Sequence, residues 1–83
     1  MGGTKMAQID INTIENLEKS RNTLHDKVYA TYTSFEMNGK HYLQIDTYGK
    51  SDREIPGKIS QSFQFDENSA HYFIELLQRE FGL

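Results

Sequence analysis

Eighty-three residues limit the chain to one small domain with a single modest core. With no cysteine, neither a disulfide framework nor a thiolate metal site can reinforce that core, so support from a partner subunit is expected. A hydrophobic content of 36% suits a folded domain and no apolar run approaches a membrane span, while a net charge of −3 argues against coating nucleic acid through bulk positive charge.

The opening residues, Met1 to Lys5, have neither the basic nor the apolar region of a signal peptide. Residues 1–6 are expected to be an expression remnant or a disordered start, with Met6 as the natural first residue, and residues 7–83 a single cytoplasmic α+β domain. Ile14, Leu17, Leu24 and Val28 then recur at roughly helical spacing, with Arg21 on the same stripe. Asn12 suits the cap and Glu15, three residues on, suits the reciprocal bond back to it, so a helix is expected from near Thr13 to about His25 or Asp26. Its stripe is narrow. Pairing with a second copy and lying across the edge of its own sheet both fit.

From Val28 the period changes to two. Residues 28–36 and 41–48 are rich in the branched and aromatic side chains that suit a pleated surface. Between them Asn38-Gly39 is the pair best able to hold the positive φ angles of a two-residue hairpin turn. That turn predicts the register: Met37 opposite Lys40, Phe35 opposite Tyr42, Thr33 opposite Gln44, Thr31 opposite Asp46 and Tyr29 opposite Tyr48. One face then carries Val28, Ala30, Tyr32, Leu43 and Ile45. The other carries Tyr29, Phe35, Tyr42 and Tyr48 among Thr31, Thr33, Gln44 and Asp46.

Residues 49–57 read as a loop holding Lys50, Arg53 and the only proline, Pro56. A third strand follows, opened by Lys58, with Ile59, Phe63 and Phe65 alternating with polar residues. Asp66 is placed to cap a final helix. Ala70, Phe73, Ile74, Leu77 and Phe81 form one broad apolar stripe along it, and Gly82 marks its stop.

Enzyme chemistry is not expected: there is no cysteine nucleophile, no glycine-flanked serine elbow and no glycine-rich phosphate loop. His25, His41 and His71 fall on separate elements without metal-ligand spacing, so no metal and no cofactor are expected. The aromatic face fits three readings. Its rings can stack on unpaired bases while amides and hydroxyls meet backbone or base edges, it can be a protein interface, or the N-terminal helix can cover it as a second core layer. Among the flanking cations, Arg53 and Lys58 bracket the Pro56-Gly57 turn and are the candidates for phosphate contact.

The stretch HYLQIDTYGKSDREIPGKISQSFQFDENSAHYFIELL, about residues 41–81, resembles the single-stranded-DNA-binding C-terminal domain of the transcriptional positive coactivators. The likeness lies in the order of parts: the strand Tyr42 to Tyr48, the segment Pro56-Gly57-Lys58-Ile59-Ser60, and the amphipathic helix from Glu67. The resemblance implies a curved antiparallel sheet, a dimer formed with the help of the C-terminal helices, and single strands laid along aromatic and basic positions, Lys58 and the aromatics of the second strand among them.

The expected architecture is α+β: an N-terminal helix, a three-stranded antiparallel sheet and a C-terminal helix packed on Val28, Ala30, Tyr32, Leu43, Ile45, Ile59, Phe63 and Phe65, in a homodimer with no membrane association. The expected function is a small non-enzymatic domain, single-stranded nucleic-acid-binding or transcription-related and regulatory, with Tyr29, Phe35, Tyr42 and Tyr48 stacking on bases and Arg53 and Lys58 on phosphates. The alternative is a regulatory module that binds a partner protein through the aromatic face or the N-terminal helix.

Overall fold

The computed structural model describes residues 5–49 and 58–83. Four strands, β1 (Lys5–Gln8), β2 (Ala30–Met37), β3 (Lys40–Tyr48) and β4 (Ile59–Phe65), are followed by one helix, α1 (Glu67–Phe81). The strands form one mixed sheet in the order β1-β4-β3-β2, in which β1 runs parallel to β4 and the other pairings are antiparallel.

The β2–β3 hairpin closes through Asn38 and Gly39, at φ 55° and 76°, the left-handed values that a two-residue turn requires and that these two residue types tolerate best. The register runs from Met37 opposite Lys40 to Ala30 opposite Thr47, and beyond it the Tyr48 N–H donates to the Tyr29 carbonyl at 3.0 Å. Strand β4 continues the sheet with Ile45 opposite Phe63, Gln44 opposite Gln64 and Asp46 opposite Ser62, with an irregularity at Thr47 and Tyr48.

Asp66 caps α1. Its carboxylate accepts from the Ser69 N–H at 2.8 Å while its own N–H donates to the Ser69 hydroxyl at 3.0 Å, so two groups that a helix start leaves unpaired are satisfied together. At the other end Gly82 takes a left-handed φ of 69° and its N–H, with that of Leu83, returns to the Gln78 carbonyl.

Three expectations are corrected. No N-terminal helix forms: after β1, residues 9–29 carry no regular secondary structure. The Asp10 carboxylate accepts from the Asn12 N–H at 2.9 Å and the Asp10 carbonyl from the Thr13 N–H at 3.0 Å, a local turn at the point where the helix was to begin. Beyond it Asn16, Ser20, Asn22, Thr23 and Asp26 are weak helix formers, and a narrow stripe offers little packing to offset the nucleation cost.

The sheet is also not three-stranded and antiparallel, because Lys5–Gln8 adds a fourth, parallel strand beside β4. Nor does α1 pack on the eight residues expected of it. It meets the sheet chiefly along β4, where Phe73 crosses Phe65 edge to face at 5.5 Å, and Tyr32 stays 74% exposed. Among the described residues no apolar side chain is buried; those that are buried are Asp46, Ser62 and Ser69.

Candidate functional site

Because side chains alternate across a strand, the pairings sort the sheet into two faces. Leu43, Ile45, Phe63 and Phe65 share one face with Ala30 and Tyr32, and α1 approaches that face through Phe65. The opposite face carries Thr31, Thr33 and Phe35 of β2, Tyr42, Gln44, Asp46 and Tyr48 of β3, Ser62 and Gln64 of β4, and Met6 and Gln8 of β1.

On this second face the four expected rings come together as two cross-strand pairs. Tyr29 and Tyr48 meet with ring centroids 5.4 Å apart at 60°, and Phe35 and Tyr42 stack at 5.5 Å and 22°. Six residues separate Tyr29 from Phe35, so the pairs stand roughly 20 Å apart along the strand. Tyr29 is exposed, while Phe35, Tyr42 and Tyr48 are half-buried against their neighbours. The Tyr48 hydroxyl lies 3.1 Å from that of Thr31, which fixes the ring against the sheet. None of the four is sealed in a second core layer, and the helix expected to cover them is not there.

Between the ring pairs runs a relay of side-chain amides. The Gln8 Nε2 donates to the Gln64 Oε1 at 3.1 Å, the Gln64 Nε2 to the Gln44 Oε1 at 2.8 Å, and the Gln44 Nε2 to the Asp46 Oδ1 at 2.9 Å. The Ser62 hydroxyl donates to the same Asp46 oxygen. The Asp46 oxygen accepts from Gln44, so the Gln44 amide turns its carbonyl to Gln64 and the Gln64 amide turns its own to Gln8. At 7% and 2% exposure, Asp46 and Ser62 anchor the row within the surface rather than above it.

Of the expected cations, Lys58 is exposed just ahead of β4, and Arg53 lies outside the described residues with Lys50 and Pro56. Lys40, at the hairpin end of the same face, helps with the Ser69 backbone N–H to hold the Asp66 carboxyl below the usual carboxylate range, the Ser69 bond being the larger influence. The histidines keep apart. His41 meets Ser34 at 3.0 Å and Glu36 at 3.6 Å, His71 meets Glu67 at 3.9 Å, and among the described residues no three His, Asp or Glu side chains gather as a metal site. No described helix is long and apolar enough to cross a membrane.

The amide relay is the part of this face that sequence reasoning missed. The hairpin register alone puts Gln44 and Asp46 on it, but joining them to Gln64 and Gln8 requires both the β3–β4 register and β1, a four-residue strand too short to show a period. No protein-family model, no curated protein and no solved structure matches the chain.

Proposed function

We propose that this chain is a small, non-enzymatic, cytoplasmic domain that binds single-stranded nucleic acid, in a transcription-related regulatory role, and that it works as a homodimer. The observation that carries the reading is the polar face itself: two aromatic pairs at its ends with a row of oriented amides between them. Rings offer stacking surfaces to any unpaired base, worth roughly 1–3 kcal/mol per base, and glutamine amides match the paired donor and acceptor of base edges. Tyr29, Phe35, Tyr42 and Tyr48 would take the bases, and Lys58 with Arg53 the phosphates. With five tyrosines and no tryptophan, the chain reports its own binding: short single strands titrated at low salt should quench tyrosine emission, and added salt should reverse the quench. Flat titrations across several sequences at low salt would reject it.

A second reading, a regulatory module that binds a partner protein through the aromatic face, is favoured by rings left uncovered there, Tyr29 exposed and Phe35, Tyr42 and Tyr48 half-buried. A partner captured without nucleic acid, and lost on Tyr42→Ala but kept on Arg53→Ala, would choose it over the first.

A further inference from the structure

At the hairpin end of the apolar face, Ser34, His41 and Glu36 stand in line, on the side of the sheet away from the rings and amides. The strand pairing sets Glu36 opposite His41 and Ser34 opposite Leu43. The Ser34 hydroxyl lies 3.0 Å from the His41 Nε2, and the other ring nitrogen, Nδ1, lies 3.6 Å from a Glu36 carboxylate oxygen. A carboxylate on the Nδ1 side favours the tautomer that carries its proton there, which leaves the Nε2 lone pair to accept from the serine. Nucleophile, base and orienting carboxylate in that order are the parts of a hydroxyl activated for acyl transfer, whichever fold carries them. The backbone adds a donor. The turn makes Met37 and Lys40 a hydrogen-bonded pair, and the bond from the Tyr48 N–H to the Tyr29 carbonyl keeps the same odd-numbered phase at the far end of the hairpin. The Ser34 N–H therefore points away from β3, to the outer edge of β2 where no described strand lies, and can donate to an oxyanion formed on its own hydroxyl. Tyr32, 74% exposed, and Leu43 flank Ser34 with apolar surface for the rest of an acyl donor.

We infer that Ser34 is an acyl-acceptor site, modified by activated carboxylic esters and thioesters. The Ser34 Oγ attacks the acyl carbonyl carbon as the His41 Nε2 takes the hydroxyl proton. The bond from that carbon to the leaving oxygen or sulfur then breaks, and His41 returns the proton to the departing group. The outcome is modification rather than turnover, for two reasons. A single backbone donor faces the oxyanion where a full oxyanion hole has a second, and a missing donor costs roughly 100- to 1,000-fold. The ester formed on Ser34 also has an alkoxide as its leaving group, poorer than the phenolate or thiolate of the donor, so it outlives the step that made it. The acylated chain is the product, which keeps the domain non-enzymatic, and the site is independent of what the ring-and-amide surface binds.

The probe is p-nitrophenyl acetate, with each acetyl group on the intact chain placed by peptide mass spectrometry. Ser34 should be acetylated at least roughly 100-fold faster than Ser20, the low end of what a positioned general base supplies. Ser20 is the internal reference because it is equally exposed and no described histidine bonds to it. His41→Gln should remove the advantage. Glu36→Gln should shrink it while the ring-nitrogen NMR signals of His41 move away from the Nδ1–H tautomer, a signature that a merely structural loss would not give. Ser34 acetylated no faster than Ser20 in the folded wild-type chain, or still acetylated fast in His41→Gln, would overturn the inference. Should His41→Gln fail to fold, the wild-type chain decides by itself. In urea the advantage of Ser34 should vanish, and an advantage that persists there would overturn the inference by tracing it to local sequence instead of the cross-strand histidine.

Discussion

Removing Asp46 and Ser62 singly and together measures the anchor of the polar face. Asp46 accepts from Ser62 and Gln44 with one carboxylate oxygen, and both Asp46 and Ser62 are buried. A hydrogen bond to a charged group is worth about 1.5–3 kcal/mol, and a buried hydroxyl left without its acceptor costs about 1–3 kcal/mol. Asp46→Ala should therefore destabilise the chain by about 3 kcal/mol and Ser62→Ala by about 2 kcal/mol. The double variant strands neither group, so its loss should fall short of the sum by about 2 kcal/mol. Urea unfolding followed by circular dichroism, at one protein concentration for all four chains, gives the coupling. Additivity within about 0.5 kcal/mol would refute the buried pair as an energetic unit and, with it, the claim that Asp46 orients the amide row.

Other outcomes follow from the same geometry. Asp66→Ala should remove about 1 kcal/mol of stability by stripping the cap from α1. Because the Ser69 N–H lowers the folded-state pKa of Asp66, that contribution is complete above the unfolded carboxyl value of about 4 and is lost as pH falls through the folded value. The gap in melting temperature between wild type and variant should accordingly close in acid. Gly39→Ala, at a φ of 76°, should destabilise the hairpin by about 1 kcal/mol, read as a lower urea midpoint with an unchanged slope. In salt titrations of single-strand binding, Lys58→Ala should reduce the slope by about one counterion, whereas Tyr42→Ala should leave the slope and weaken binding by about 1–3 kcal/mol.

The sequence was most legible where one residue type has one local solution. Asn38-Gly39 named its turn, that turn set the β2–β3 register, and Asp66 and Gly82 marked both ends of α1. The N-terminal segment misled because Ile14, Leu17, Leu24 and Val28 keep a helical interval without the propensity or the packing surface to make a helix. Instead the segment runs beside α1, where Ile14 and Leu17 line a groove with Tyr72 and Leu76. Strand β1 was illegible for a different reason: Lys5–Gln8 gains its conformation from β4, a partner more than fifty residues away, and four residues carry no usable alternation. The aromatic face followed from register alone, whereas its amide relay needed two further strand pairings. The stripe on α1 does not say which residues of the sheet it meets, and it meets Phe65 of β4 rather than all eight residues expected.

Binding of single strands by the ring-and-amide face of β2, β3 and β4 is decided by titrating the intact chain with short single-stranded oligonucleotides at low salt. Binding there predicts saturable tyrosine quenching that weakens with salt and is reduced by Tyr42→Ala. Emission unchanged by every oligonucleotide at low salt, from a folded chain, would contradict it.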